Sequence, residues 1–349
     1  MKFLIVKTSS LGDIIQAFPS AGYLHQQFPE AEIHWVVEKP FAQMVQAHPH
    51  VTQVHTISTK KWRQKFLSKE NRQEMVTFKK ELKEHHFDAV FDMQSNIKSS
   101  LITWLANSPV KVGFGWKTVH EWPNLFVTNR RYDPVKGLNI CHDYLSLVQG
   151  YRDDKATYQN PGVDLRISVE EKEKLQQIVN RAQFSCKVLV CAGSMWRNKQ
   201  LDPKTLSSFL GKVQEHLGCS YLFAWGSPEE QKQAQELQSQ FPNCSHILEK
   251  MSLPMLQNLM GQVNLVIAMD SLPLHLAGTT KTPTFSVFGA SAASKFKPEG
   301  AQHRALQGVC PYGRTFEKRC PILRTCKTGA CIRDINPDDL IQFFINPTN

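Results

Sequence analysis

Short apolar runs alternate with amphipathic stretches along the whole chain, and this alternation restricts the fold more than any other feature. In the first half the apolar or β-branched runs cover residues 2–7, 32–38, 54–57, 89–93 and 110–115. In the second half they cover residues 187–192, 221–225, 246–248, 265–269 and 284–288. Apolar runs of this length, bounded by polar residues, predict strands that are buried on both faces.

The stretches between these runs have helical periodicity. They include residues 14–27, 70–85, 169–181, 203–217, 228–240 and 253–260. Strands that alternate with helices predict α/β domains, in which helices cover both faces of a parallel sheet. Residues 151–164 contain few apolar residues and an Asn-Pro-Gly turn, which indicates a linker. We therefore expect two doubly wound Rossmann-like domains facing a cleft, residues 1–155 and residues 165–349.

The charge of the chain points to an anionic partner. The 349 residues include 41 Lys and Arg against 31 Asp and Glu, a formal charge of +10. Such an excess attracts nucleic acid, an anionic membrane face or a phosphorylated or carboxylated substrate, although it also suits a merely basic surface. No run approaches the ~20 apolar residues that span a bilayer. Residues 3–6 form too short an apolar run for a signal peptide, so the sequence predicts a cytoplasmic protein.

The loop after the first predicted strand, residues 7–13, carries small hydroxyl residues, one glycine and Asp13. Ligands of doubly wound sheets bind outside the carboxyl ends of the strands, so this loop is a candidate site. The pattern differs from the Gly-x-Gly-x-x-Gly motif of dinucleotide-binding domains, which argues against a hydride-transferring enzyme. Asp13 lies near a helix start, where it can cap the helix or act as a general base toward an acceptor hydroxyl.

Two loops of the second half have comparable positions. Residues 188–199 are a strand followed by Gly193, Ser194 and, at the end of the loop, Lys199, which can neutralise a leaving diphosphate. Residues 266–278 are a strand followed by Asp270, Ser271 and a helix with His275. These three side chains suit either a ligand site or a capped helix with an ordinary histidine. Gly289, after the next strand, either allows a nucleoside to approach or starts a turn.

Residues 7–14 resemble the opening motif of the ADP-heptose:lipopolysaccharide heptosyltransferases, the heptosyltransferase I branch in particular. Residues 35–38, 60–63, 88–94 and Lys98 follow in the order of that family, and residues 193–199 and 270–277 resemble its donor-binding segments. The resemblance covers roughly the whole chain. It implies the fold with two Rossmann-like domains, a nucleotide-sugar donor on the second domain and an acceptor on the first.

The resemblance also implies roles for individual residues. Asp13 matches the aspartate that is taken as the catalytic base. The implied donor-binding residues are Ser194, Lys199, Asp270, Ser271, His275 and Gly289. The chain departs from the family at Leu201, where a tryptophan is usual, and at Leu272, which replaces a glycine in the donor loop. Because Pro273 disfavours an α conformation in the preceding residue, we expect Leu272 to be extended and the helix to begin at Pro273.

A basic segment in the first half is the candidate acceptor site. Lys60, Lys61, Arg63 and Lys65 are expected to lie in a loop, which is either a solvated basic face or an anion-binding surface. The resemblance implies an acceptor of Kdo-lipid A type, rich in carboxylate and phosphate, at the anionic inner face of the inner membrane. Ser10, Lys98 and His120 are further acceptor-side candidates.

The sequence predicts no cofactor and no catalytic metal ion, because no Asp-x-Asp pair stands out to bridge a diphosphate. Nine, five and four residues separate Cys310, Cys320, Cys326 and Cys331. Since no pair is Cys-x-x-Cys, a zinc site, a disulfide and reduced thiols all remain open. The expected function is inverting sugar transfer. The alternatives are a transferase of the same fold for another sugar, and a basic nucleic-acid-binding protein. Because sugar transfer is the expected function, we expect no nucleic-acid partner.

Overall fold

A computed structural model describes residues 1–64, 68–181 and 186–346, and it divides the chain into two compact units. The first unit is Met1–Arg166 and the second is Ile167–Asn349. Each unit contains a six-stranded sheet in which all neighbouring strands are parallel. The predicted α/β class with two doubly wound domains is therefore confirmed.

The strands of the first unit are β1 (Lys2–Val6), β2 (Glu32–Glu38), β3 (Gln53–Ile57), β4 (Ala89–Asp92), β5 (Lys111–Phe114) and β6 (Arg130–Tyr132). Its helices are α1 (Leu11–Gln16), α2 (Phe18–Gln27), α3 (Ala42–Gln46), α4 (Thr59–Gln64), α5 (Lys69–Glu84), α6 (Ile97–Leu105) and α7 (Ile140–Arg152). The strand order is β3-β2-β1-β4-β5-β6, so the order reverses between β1 and β4. The loops that follow these two strands lie side by side.

The strands of the second unit are β7 (Lys187–Cys191), β8 (Ser220–Phe223), β9 (Ser245–Ile247), β10 (Leu265–Met269), β11 (Thr284–Phe288) and β12 (His303–Gln307). Its helices are α8 (Val169–Arg181), α9 (Pro203–Leu217), α10 (Pro228–Gln240), α11 (Leu253–Met260), α12 (Leu272–Ala277), α13 (Ala293–Phe296), α14 (Ala330–Arg333) and α15 (Pro337–Ile345). The order β12-β11-β10-β7-β8-β9 repeats that of the first sheet, and here the reversal lies between β7 and β10.

Local sequence signals set many of the helix boundaries. The α9 helix begins after Asp202, whose side chain accepts the backbone N–H of Lys204 at 3.0 Å, and Pro203 occupies its first turn. It ends at Gly218, which adopts a left-handed conformation with φ of 57°. The predicted helix 14–27 is instead two helices, α1 and α2, with Pro19 in the first turn of α2. A proline is tolerated there because the first-turn N–H has no partner within the helix.

The central strands are buried as their apolar runs predict, and they form the core of each unit. In the first unit β1 and β4 pack against α5 through a cluster that includes Leu4, Phe78 and Leu82. In the second unit Phe209, Phe285 and other buried side chains form the larger cluster. Among the described residues, no helix is long and apolar enough to cross a membrane.

Candidate functional site

The loop between β1 and α1 is built around a capping interaction. Ser10 is the N-cap of α1, and Asp13 is the third residue of the helix. The Asp13 carboxylate accepts the Ser10 backbone N–H at 3.1 Å and the Ser10 hydroxyl at 2.5 Å. Asp13 is therefore the acidic partner of the cap rather than the N-cap itself. Its side chain is partly exposed at the carboxyl end of β1, where a ligand of this sheet would bind.

Side chains from two neighbouring strands fix this loop. The Gln94 Oε1, just after β4, accepts the backbone N–H groups of Thr8 and Ser9, each at 3.1 Å. The Trp35 Nε1 of β2 donates to the Lys7 carbonyl at 3.0 Å. Gln94 and Trp35 lie in segments that resemble the family, but their role as supports could not be read from the sequence, since it depends on the order of the strands.

A fully buried carboxylate organises the loop after β4. Asp92 accepts the N–H of Ser95 at 2.8 Å, the Thr103 hydroxyl at 2.9 Å and the Asn124 amide at 2.6 Å. Burial raises the pKa of Asp92, while these hydrogen bonds act in the opposite direction. Its donors come from the loop after β4, from α6 and from the segment after β5, so Asp92 connects these three segments.

In the second unit, Lys199 and Asp270 form an ion pair at the point where the strand order reverses. The Lys199 Nζ lies 2.6 Å from the Asp270 Oδ2, and the side chains are only 11% and 4% exposed. Lys199 follows β7 and Asp270 follows β10, so their approach results from the pairing of those two strands. The sequence predicted two separate donor-binding side chains, and the structure joins them directly.

Three further predicted donor residues lie in the same two segments of the chain as this pair, the one after β7 and the one after β10. Ser194 lies in the loop after β7, where its carbonyl accepts the Gln200 side chain. Ser271 is the N-cap of α12, and half-buried His275 lies within that helix. The helix begins at Leu272, so the expectation that Leu272 is extended and the helix starts at Pro273 is wrong. Ser271, with φ of −150° and ψ of 178°, supplies the extended residue instead, and a proline is also accepted at the second helical position.

Glu230 lies near the loop after β7, and the sequence analysis did not identify it. Its carboxylate accepts the Gly226 N–H at 2.7 Å and the Ser227 N–H at 3.3 Å at the start of α10. A Cβ added to Gly193 would overlap the Glu230 carboxylate. Gly193 therefore lets this carboxylate approach the backbone of the loop after β7. The Ser-Pro-Glu-Glu sequence indicates a capping box, but only the fold brings it to Gly193.

Gly289 has a packing partner at its α-carbon. A Cβ at this position would lie 2.8 Å from the Ile332 Cβ and 3.1 Å from the Cys331 Sγ. The absence of a side chain thus lets α14 approach the end of β11. This contact gives Gly289 a reason to be glycine that does not involve a nucleoside.

The basic segment of the first unit is helical, which corrects the expectation of a loop. Lys60, Lys61 and Arg63 lie in α4, whereas Lys65 falls outside the described residues. The Lys61 Nζ lies 2.8 Å from the Glu74 Oε1 of α5, and the Trp62 Nε1 donates to the same carboxylate at 2.9 Å. Lys60 and Arg63 are exposed.

Two further acceptor-side candidates lie at the carboxyl edge of the first sheet. The Lys98 Nζ is 3.4 Å from the Thr59 hydroxyl, at the start of α4, and 3.9 Å from the Glu38 Oε1. Lys98, which belongs to α6, therefore lies next to the first residue of α4. The His120 imidazole is 75% exposed, and its backbone N–H donates to the Ser95 hydroxyl at 2.9 Å.

The four C-terminal cysteines line one cavity of about 20 Å³, together with side chains such as Arg314. Burial and the neighbouring sulfurs raise the pKa of Cys331 to about 11, while the Gly329 N–H lowers the pKa of Cys326. Among the described residues, three imidazoles have ligating nitrogens within 4.8 Å of one another, whereas no three of these four sulfurs do. The structure therefore gathers the four cysteines around one cavity but does not bring three of their sulfurs to metal-ligand spacing.

In each of the two doubly wound domains polar residues lie at the point where the strand order reverses, which is where such sheets bind their ligands. The family model described as glycosyltransferase family 9 (heptosyltransferase) matches residues 75–325. The chain belongs to this family and is a glycosyltransferase.

Curated relatives and solved structures agree with this assignment. The chain is 27% identical over 290 residues to lipopolysaccharide heptosyltransferase 1 of Escherichia coli K12, covering 83% of this chain and 88% of that protein. It is 27% identical over 357 residues to the protein of that name from Campylobacter coli, covering 98% and 97%. The structure of E. coli heptosyltransferase WaaC with ADP has a TM-score of 0.76 at 23% identity, with 99% of each chain covered.

Proposed function

We propose that this enzyme transfers a heptose from ADP-heptose to a Kdo-lipid A acceptor, with inversion at the anomeric carbon. Membership of glycosyltransferase family 9 and the names of the curated relatives support the sugar and the acceptor class. A structure of the same fold that was solved with ADP supports an ADP-linked donor. In this proposal the first unit binds the acceptor and the second unit binds the donor.

The observation that carries the donor assignment is the ion pair of Lys199 and Asp270. A lysine that is 11% exposed and held at 2.6 Å by a carboxylate is fixed in position before a ligand arrives. Such a preorganised cation stabilises the charge that develops on a leaving diphosphate, because it needs little rearrangement during the reaction. Ser194, Ser271 and His275, in the segments after the same two strands, are the further polar groups proposed for the donor, and Asp270 keeps the ammonium group oriented.

Asp13 is the base of the proposed reaction. An acceptor hydroxyl oxygen attacks the anomeric carbon, the bond from that carbon to the diphosphate oxygen breaks, and ADP leaves with the bonding electron pair. The hydroxyl proton passes to the Asp13 carboxylate, which the Ser10 N–H and hydroxyl hold in one orientation. Diphosphate is a good leaving group, so proton removal can be late and a carboxylate is basic enough.

The α4 helix and Lys98 are the proposed acceptor-binding surface, with His120 and Ser10 nearer the loops of the first sheet. Lys60 and Arg63 are exposed cations on one short helix, and the chain as a whole carries a charge of +10. Carboxylates and phosphates of Kdo-lipid A would pair with these groups. The same charges would attract the enzyme to the anionic cytoplasmic face of the inner membrane.

A transfer assay with Kdo-lipid A and a panel of donors tests the proposal. ADP-heptose, ADP-glucose, UDP-glucose and GDP-mannose are compared at equal concentration, and the anomeric configuration of the product is read by NMR. We expect transfer from ADP-heptose alone or at least tenfold faster than from the others. Faster transfer from another sugar would identify a transferase of the same fold with a different donor, and no transfer from any of the donors would contradict the proposed function.

A further inference from the structure

Three histidines come together in the first unit, away from the loops at the carboxyl ends of the strands. They are His34 on β2, His55 on β3 and His85 at the C-terminal end of α5. In the register of β2 and β3, His55 lies opposite Val36. Because side chains two residues apart share a face of a strand, His34 and His55 lie on the same face, which α5 covers.

The ring nitrogens have the spacing of metal ligands. One ligating atom from each ring lies within 4.8 Å of the others. The His34 Nδ1 and the His55 Nε2 are 3.0 Å apart and share a hydrogen bond, whose proton a bound metal ion would replace. Two nitrogens bound at ~2.0–2.1 Å to a tetrahedral zinc ion are about 3.3 Å apart, so this pair needs only a small adjustment. The His85 ring lies across the His34 ring, with centroids 4.7 Å apart.

A carboxylate orients the first of these rings. The His34 Nε2 lies 3.3 Å from the Glu32 Oε2, and the Lys2 Nζ lies 3.0 Å from the same oxygen. A hydrogen bond from Nε2–H to Glu32 leaves the Nδ1 lone pair directed toward His55. An imidazole that donates its other N–H to a carboxylate is the usual arrangement of a metal-ligating histidine.

The cluster of His34, His55 and His85 is buried on one side and accessible to solvent on the other. His34 and His55 are 1% and 2% exposed, and the Phe87 ring packs against His34. His85 is half-buried and gives an ion a route from solvent. We propose that His34, His55 and His85 form a binding site for a divalent transition-metal ion of the zinc type, with Glu32 as the residue that positions His34.

Such an ion would be structural and independent of sugar transfer. His34 is opposite Leu4, in the middle of β1, and the loop with Asp13 begins after Val6, at the carboxyl end of that strand. The ion would join two strands to the end of α5, and binding to the folded state alone would raise the stability of the first unit.

The test uses the untagged full-length chain after treatment with a chelator. Zn²⁺ binding is measured by calorimetry and by metal analysis after gel filtration, and Co²⁺ serves as a spectroscopic probe. We expect one ion per chain, a higher unfolding temperature with Zn²⁺, and visible cobalt bands of nitrogen coordination. His85→Ala should weaken binding at least tenfold, His85→Asp should restore part of it, and His86→Ala at the exposed neighbouring position should change nothing.

Two kinds of result would overturn the proposal. The first is the absence of a bound ion, or an affinity that His85→Ala leaves unchanged although circular dichroism shows a folded protein. The second is a strong thiolate-to-cobalt charge-transfer band that disappears in Cys320→Ser/Cys326→Ser. That band would place the ion at the C-terminal cysteine cavity and not at the histidines.

Discussion

At the scale of single residues, two carboxylates are held in different ways, which suits the different roles proposed for them. The Asp13 carboxylate accepts hydrogen bonds from Ser10 at the start of α1 and keeps an exposed edge. The Asp270 carboxylate is buried and paired with Lys199. A partly exposed carboxylate can receive a proton from a bound hydroxyl, whereas a buried, paired one serves to position its cation.

We expect Asp13→Asn to lower kcat by about a hundredfold or more, the usual contribution of a general base. The asparagine oxygen can still accept the Ser10 N–H, so folding and ADP binding should persist. Turnover is measured with saturating donor and acceptor, and ADP affinity by calorimetry. Normal turnover in the folded variant would limit Asp13 to its capping interaction.

Lys199→Ala should weaken ADP and ADP-heptose to the same degree. A hydrogen bond to a charged group contributes about 1.5–3 kcal/mol, which corresponds to roughly a tenfold to hundredfold loss of affinity. The variant also leaves the Asp270 carboxylate buried without its cation, so we expect a lower unfolding temperature. The control is Lys204, an exposed lysine on α9. Lys204→Ala should keep the ADP affinity and the unfolding temperature of the wild type. Unchanged ADP affinity in Lys199→Ala would remove this lysine from the donor site.

At the scale of elements, the start of α12 holds Leu272, at a position where the family resemblance implies a glycine. Leu272 is the first residue of this helix, after the extended Ser271. Leu272→Gly should tighten ADP binding by up to about fivefold, the equivalent of one neutral hydrogen bond, because it allows a backbone amide closer to the phosphates. Calorimetric titration with ADP measures the change. Loss of binding would instead show that the leucine side chain forms part of the donor pocket.

The α4 helix depends on its contacts with α5. Its Trp62 ring packs 6.1 Å from the Phe78 ring, and its Nε1 donates to Glu74. These contacts hold a helix of only six residues, which is too short to be stable alone. The exposed side chains Lys60 and Arg63 therefore have a rigid support.

Charge reversal on α4 should act on the acceptor. In Lys60→Glu/Arg63→Glu we expect the KM for Kdo-lipid A to rise at least tenfold at low ionic strength, with ADP affinity unchanged, because these cations are proposed to pair with acceptor anions. The matched control is Lys79→Glu/Lys80→Glu on exposed positions of α5, which changes the net charge by the same amount. An equal rise of KM in both variants would show a general effect of charge and exclude a site on α4.

At the scale of the whole molecule, acid should weaken the first unit through His48. This side chain is 1% exposed and packs against the Phe18 ring at 4.7 Å. Burial, followed by the charges of His50, Arg166 and His25, lowers the pKa of His48 from 6.5 to about 3. Its stabilising contribution is complete above pH 6.5 and is lost as the pH falls from there toward about 3, at on the order of 1 kcal/mol per pH unit.

His48→Asn checks this dependence, because an asparagine oxygen can accept the His50 N–H that His48 Nδ1 now accepts at 3.2 Å. Unfolding temperatures are measured by calorimetry between pH 7.5 and pH 5, conditions chosen to bracket the ordinary histidine pKa of ~6.5. We expect the wild type to lose more stability than the variant as the pH falls. Parallel curves would contradict the role of His48.

Much of the fold could be predicted from the sequence, since parallel strands covered on both faces must be apolar along their length. The apolar runs located β2, β10 and β11 with their observed boundaries, and the helical periodicity of residues 203–217 located α9. The same signals placed the loops with Asp13 and Asp270 at the carboxyl ends of strands.

Only the tertiary structure decided which of these groups meet. The edge strands β6 and β12 carry polar, partly exposed residues, so no apolar run predicts them, and pairing with β5 and β11 defines them. The α4 helix depends on α5. The 2.6 Å pair of Lys199 and Asp270 joins residues 71 positions apart, and it exists because β7 and β10 are neighbours in the sheet. Sequence periodicity indicates which side chains are buried, whereas the order of the strands in the sheet determines which side chains lie in the same site.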